Sequence, residues 1–180
     1  MLPLALTGLW LAGTWRVVAE NENSVGEYQV KAAFLYNFTQ FTDWPATNFS
    51  TASAPIVIGI VGEDPFGSIM DDVVSGEVVG NHPLVIRRLR ARDNLLGCHV
   101  LFISRSEQAQ LPAILIQVKG HPILTVSDIS DFAQQGGIVG LLLVNKKVKM
   151  EINQAAAIEA GLQISSKLLR LATIVKSRRN

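Results

Sequence analysis

Apolar positions recur along this chain with two different periods. Val30, Phe34, Phe38 and Phe41 fall three or four apart, the spacing of one helical face. Trp44-Pro45 predicts the end of that helix, because proline disfavours helix in the residue before it. Ala46 to Pro55 is rich in Ser, Thr and Ala and reads as a loop. The pattern then changes. Ile56 to Val61 is a near-continuous apolar run rich in β-branched residues, which suits a strand buried on both faces of a parallel sheet.

Further strands are predicted over Leu84–Leu89, His99–Ser104, Pro122–Val126 and Ile138–Val144. Helices are predicted between them, over Phe66–Val74, Glu107–Val118 and Ser127–Gln135, the last stopped by Gly136-Gly137. Asn145-Lys146 reads as a tight turn into Val148–Ile152, giving a hairpin. Asn153 can cap a helix that ends at Gly161. Ser165 can cap another that carries Leu168, Leu169, Ala172 and Val175. Strands separated by helices imply a single α/β domain. Its sheet is largely parallel, with helices on both faces and a C-terminal antiparallel hairpin.

Composition narrows the function. The chain has 180 residues, 48% of them hydrophobic, which supports one sizeable core. Sixteen basic and 15 acidic residues give a net charge of +1. Nucleic-acid binding would need a concentrated basic surface, so no nucleic-acid partner is expected. Leu2 to Gly13 is almost wholly apolar or small, and Val17-Val18-Ala19 follows Arg16. This reads as an export signal over residues 1–19, cleaved near Ala19, although a positive n-region is missing. Residues 20–26 form a polar lead-in, 27–175 the domain, and 176–180 a tail with Lys176, Arg178 and Arg179.

Few side chains suggest chemistry. Gly62-Glu63-Asp64-Pro65-Phe66-Gly67 follows the first strand, where a phosphate loop would sit. Its two carboxylates would repel a phosphate, and Pro65 has no N–H to offer. His82, His99 and His121 are far apart and read as structural or loop residues. Ser165-Ser166-Lys167 places adjacent residues on different helical faces, which excludes a Ser/Lys pair there. Asp128 and Asp131 fit the start of a helix better than an acid/base pair. Cys98 is the single cysteine and reads as a small buried hydrophobe. No cofactor or metal site and no catalytic residue is expected.

Four motifs in order carry a family resemblance. Val30-Lys31-Ala32-Ala33-Phe34-Leu35-Tyr36-Asn37-Phe38 with Phe41-Thr42-Asp43-Trp44-Pro45 is the first, and Gly62-Glu63-Asp64-Pro65-Phe66 the second. Ser127-Asp128-Ile129 to Phe132 with Gly136-Gly137-Ile138 is the third. The closing block is Glu151-Ile152-Asn153, Ala160-Gly161-Leu162 and Ile164 to Ala172. Together they resemble the YfiR-type family of periplasmic proteins. The resemblance implies a periplasmic repressor that binds the sensor segment of an inner-membrane diguanylate cyclase, lowering cyclic-di-GMP and biofilm formation. It also implies homodimers, sequestration by an outer-membrane lipoprotein, and redox tuning through disulfides. With Cys98 alone, an intramolecular disulfide is impossible, and Gly59 or a neighbour stands where the partner is expected. Redox control would need a bridge between two chains.

Two sets of site residues follow. Tyr28, Leu35, Trp44 and Phe49 lie outside the Val30–Phe41 stripe and could anchor a partner, or else pack a second helix face against the sheet. In open α/β sheets ligands bind beyond the carboxyl ends of the strands. Here that rim should hold Glu63, Asp64, Ser104, Ser127 and Asp128. A polar, acidic rim would suit an amine-bearing small molecule, so a ligand-binding sensor is the alternative function.

Overall fold

The computed structural model describes the backbone of residues 14–178, with side chains described from residue 26 onward. The first thirteen positions of the expected export signal, and Arg179 of the tail, lie outside the described residues. The chain begins with α1 (Thr14–Phe41) and β1 (Thr42–Asp43), then β2 (Ile56–Val61), α2 (Ser68–Val74), β3 (Val78–Val79) and β4 (His82–Leu89). Next come β5 (Val100–Ile103), a 3-10 segment (Arg105–Gln110), α3 (Leu111–Val118), β6 (Leu124–Ser127), β7 (Val139–Val144) and β8 (Lys147–Ile152). The last elements are α4 (Gln154–Glu159), β9 (Gln163–Ile164), α5 (Ser166–Leu169) and β10 (Thr173–Ile174).

Eight strands form the main sheet in the order β10-β8-β7-β6-β5-β2-β4-β3. From β7 to β4 every neighbouring pair is parallel. Antiparallel pairs occur at β7–β8 and β3–β4. The expected architecture is therefore present, hairpin included. Asn145 and Lys146 both take positive φ (51° and 61°), the conformation a two-residue hairpin turn demands. A second, two-stranded sheet pairs β1 with β9.

The strands alternate their side chains between two cores. Ile56, Ile58, Ile60, Val100 and Phe102 join Leu35 and Phe38 of α1, Met70 of α2 and Ala157 of α4 on one face. Leu101 and Ile103 join Leu111, Ile114 and Val118 of α3 on the other. A parallel strand covered on both sides has no polar side, which is why these runs read as uninterrupted apolar sequence.

Three local expectations are corrected. No helix forms over Ser127–Gln135: Ser127 ends β6 and Ser130–Gln135 is a run of turns, because Asp131 sits at φ 59°, in the left-handed region. The closing helix stops at Leu169, and Thr173-Ile174 instead pairs in parallel with Glu151-Ile152 of β8. The core seam of α1 is rotated from the expected stripe. Val30 is 45% exposed, whereas Ala32, Leu35 and Phe38 are fully buried. Lys31 and Thr39 are buried on that seam too, and their polarity disguised it.

Candidate functional site

α1 runs antiparallel to the neighbouring strands. Its Glu27–Lys31 turn meets the loop after β6, and the residues after its C-terminus meet the start of β5. It thus links two polar clusters at opposite ends of the sheet.

The first cluster lies at the carboxyl ends of the strands. The Lys31 side chain is fully buried, and its Nζ donates to Asp128 Oδ2 at 2.6 Å and to Glu27 Oε1. Tyr28 Oη donates to the same Asp128 oxygen at 2.9 Å. Burial, reinforced by the Asp128 charge, pushes this phenol above its usual range and keeps it a donor. Arg105, at the start of the 3-10 segment, reaches Asp128 Oδ2 at 3.3 Å and Glu27 Oε1 at 3.7 Å. Two carboxylates and two cations therefore close a neutral set. Among the described residues, Asp128 Oδ1 has no hydrogen-bond partner although it is buried. Below the set, Tyr28 packs edge-on to Phe66, and Phe66 edge-on to Phe102.

The rest of the rim is also occupied by internal contacts. Asp64 Oδ1 accepts from the N–H groups of Phe66 and Gly67, while Oδ2 accepts from Arg88 Nε at 2.7 Å. The same guanidinium grips Asp71 with two bonds, which holds the Asp71 carboxyl below its ordinary range. Ser104 caps the 3-10 segment through the Ser106 N–H. Ser127 Oγ donates to Ile103 O and accepts from Ile129 N–H. Of the five rim residues, Glu63 alone is exposed, and it contributes its N–H to Ser106 Oγ. The rim is polar, but its aspartates are matched by cations of the chain itself. Asp128 belongs to this buried set and does not start a helix.

The second cluster lies at the amino ends of the strands. The Phe49 ring stacks between His82 and His99, with centroids 4.1 and 4.7 Å away. Trp44 meets His99 edge-on at 5.8 Å and donates Nε1–H to its carbonyl at 3.3 Å. The Val57 N–H donates to His99 Nδ1 at 3.1 Å, so that nitrogen is unprotonated. Burial, with a smaller contribution from His82, lowers the His99 pKa to about 4.

The structure separates the four partner-anchor candidates. Leu35 is buried in the core and offers nothing to a partner. Tyr28 is committed to Asp128. Trp44 and Phe49 are partly exposed and stand together in the imidazole stack. Cys98 is buried beside Gly59, where a Cβ would come within 2.6 Å of its Sγ. Burial pushes its thiol up to about 11 and withdraws it from a bridge between chains in this conformation.

Sequence reasoning missed Lys31 and the two histidines. Lys31 left a readable signal, as the only charged residue between Glu27 and Asp43. The imidazole stack left none, because its members come from three separate segments. A third feature, also unforeseen, is a groove of about 420 Å³ between α3 and α4. Leu115, Ile116, Ile138 and Ala156 line it, and a Lys119–Glu159 ion pair (3.5 Å) stands at its edge.

The YfiR/HmsC-like family model matches residues 28–173 of this chain. The chain belongs to that family. The matched span includes the Tyr28–Asp128 cluster apart from Glu27, the imidazole stack and almost all of the groove lining.

Proposed function

We propose that this YfiR/HmsC-like chain is a periplasmic, non-enzymatic regulator. It binds and restrains the periplasmic sensor segment of a membrane-bound diguanylate cyclase, lowering cyclic-di-GMP and biofilm formation. The observation that carries the reading is the family match over residues 28–173, nearly the whole described chain. Restraint requires tighter binding to the inactive sensor conformation than to the active one. Moving a sensor from 1:99 to 99:1 takes about 5.5 kcal/mol of preference. Trp44 and Phe49, partly exposed aromatics at one end of the sheet, are the remaining anchor candidates. A homodimer and an outer-membrane lipoprotein that sequesters the repressor belong to the same reading.

The test is capture from detergent-solubilised membranes of the source cell on immobilised full chain, paired with cellular cyclic-di-GMP. The expected result is recovery of a membrane diguanylate cyclase through its periplasmic segment, and a rise in cyclic-di-GMP when the gene is deleted. Capture of no cyclase together with unchanged cyclic-di-GMP would overturn the reading.

The groove favours a second reading, a small-molecule sensor. Its volume lies within the range of ligand sites, and its walls are apolar with polar groups at the edge. The ligand would then sit between α3 and α4 rather than at the strand rim. Saturable stabilisation by one compound in a thermal-shift screen, lost in Ala156→Trp, would support it.

A further inference from the structure

The segment from Pro45 to Pro55 crosses the amino ends of β2 and β5 as a strap with few attachments to the body. Asn48 Nδ2 donates to Pro122 O at 3.3 Å. Ala54 O accepts from His82, whose Nδ1 lies 2.6 Å away and carries the proton, since a carbonyl can only accept. Phe49 is held between the two imidazole faces. The flanking Trp44 is held by the carbonyl of His99.

His99 sits at the centre of these attachments. Its N–H donates to Val57 O at 2.9 Å, and its Nδ1 accepts from Val57 N–H. The neutral ring therefore carries its proton on Nε2. That nitrogen is buried and has no hydrogen-bond partner among the described residues. A second proton could bind only at Nδ1. It would point at the Val57 N–H, setting two donors against each other inside an aromatic enclosure. The imidazolium must then leave the stack.

Among the described residues, the strap and the strands packed on His99 bring no carboxylate to steady that charge. The strap from Pro45 to Pro55 has no charged residue, and neither β2 nor β6 has one. From β4 the acting group is His82, whose charge opposes a second one. The neighbouring Cys98 thiol stays protonated, and Asp43 and His121 are exposed.

We infer that the strap is an acid-released clasp over the amino end of the sheet: neutral His99 holds it closed, and proton uptake at Nδ1 expels the ring, freeing Phe49 and Trp44. The released state presents both aromatics to solvent while the remainder of the sheet stays paired. The inference rests on geometry within this chain and is independent of any partner.

Hydrogen exchange on the full chain, corrected for the intrinsic pH dependence of exchange, tests it alongside NMR titration of the histidine rings. From pH 7 to pH 4, protection of the strap amides should fall on the order of 100-fold, following a single proton. Amides of α3 and β6 should not change. In His99→Gln, an amide oxygen can still accept from Val57 while the titration is removed, so the strap should stay protected to pH 4. Should that variant not fold, His82→Asn takes the opposing charge away from protonated His99 in the closed state, so the fall in strap protection from pH 7 to pH 4 should shrink. A strap that stays protected while His99 titrates would overturn the inference. So would opening in step with α3 and β6, an unchanged transition in the folded His99→Gln variant, or an undiminished fall in His82→Asn.

Discussion

The two ends of the sheet hold α1 by opposite means. At the carboxyl end, Lys31, Asp128 and Glu27 bury charge against charge, and the exposed Arg105 closes the set from the surface. At the amino end, Trp44 and Phe49 pack against the His82 and His99 imidazoles, with neutral His99 at the centre. A buried ion set is held by mutual attraction, yet it has given up its hydration, so removing one member strands the others. A ring stack centred on a neutral imidazole gives up less hydration and is vulnerable to the gain of a charge there instead. The first end should therefore respond most to mutation and the second most to acid.

The largest expected effect is at the charged end. Lys31→Met leaves Asp128 and Glu27 with Arg105 as the remaining cation of the set and should cost about 3–5 kcal/mol in denaturant unfolding. The double variant Lys31→Met with Asp128→Leu should recover much of that loss, because it removes opposite charges together. A double variant as unstable as the single one would show that packing, rather than stranded charge, dominates this end.

The amino end should give the next effect, and its sign follows from the direction of the pKa shift. His99 titrates near 4 in the folded chain, against an ordinary value of 6.5. Below pH 6.5 the unfolded chain binds a proton that the folded chain refuses. Stability contributed by neutral His99 is thus complete above pH 6.5, declines as pH falls toward 4, and changes little below that. The full loss is roughly 3 kcal/mol. His99→Gln should flatten this component of the stability curve. An unchanged acid slope would assign it to the carboxylates of the other end and break the comparison.

How much of this was legible in the sequence depended on whether an environment is local. β2, β5, β6 and β7 were readable because strands covered on both faces need apolar residues at successive positions. The Asn145-Lys146 turn was readable for a similar reason, since its backbone demand falls on two adjacent residues. Thr173-Ile174 was not, because its conformation is set by pairing with Glu151-Ile152, distant in sequence. The Asp128 pairing was hidden in the same way, with a partner 97 residues away. The family motifs marked Lys31 and Asp128 without revealing that they touch.

Gly59 gives a smaller effect, midway between the two ends. A Cβ there would meet Cys98 Sγ at 2.6 Å and Leu101 Cδ1 at 2.9 Å, so Gly59→Ala should cost about 1–3 kcal/mol through overpacking. Gly59→Cys tests the position differently. Mild oxidation should remove both thiols from a titration, and reduction should restore them. Two thiols that survive oxidation in the folded variant would mean that β2 and Cys98, two residues before β5, cannot relax enough to join.

The smallest effect comes from the side of α1 that neither end engages. Val30 begins the stripe that sequence periodicity placed on one helical face, yet it is 45% exposed, while Leu35, outside that stripe, is fully buried. Val30→Ser should change stability by less than about 0.5 kcal/mol, and Leu35→Ala should cost about 2–5 kcal/mol. The pair measures the rotation of the helix directly. Lys31 and Thr39 turn inward only if Val30 turns outward, because residues one apart on a helix sit about 100° from each other. Equal losses from the two substitutions would place the apolar stripe back in the core. They would also swing Lys31 away from Asp128, dissolving the charged end on which the contrast depends.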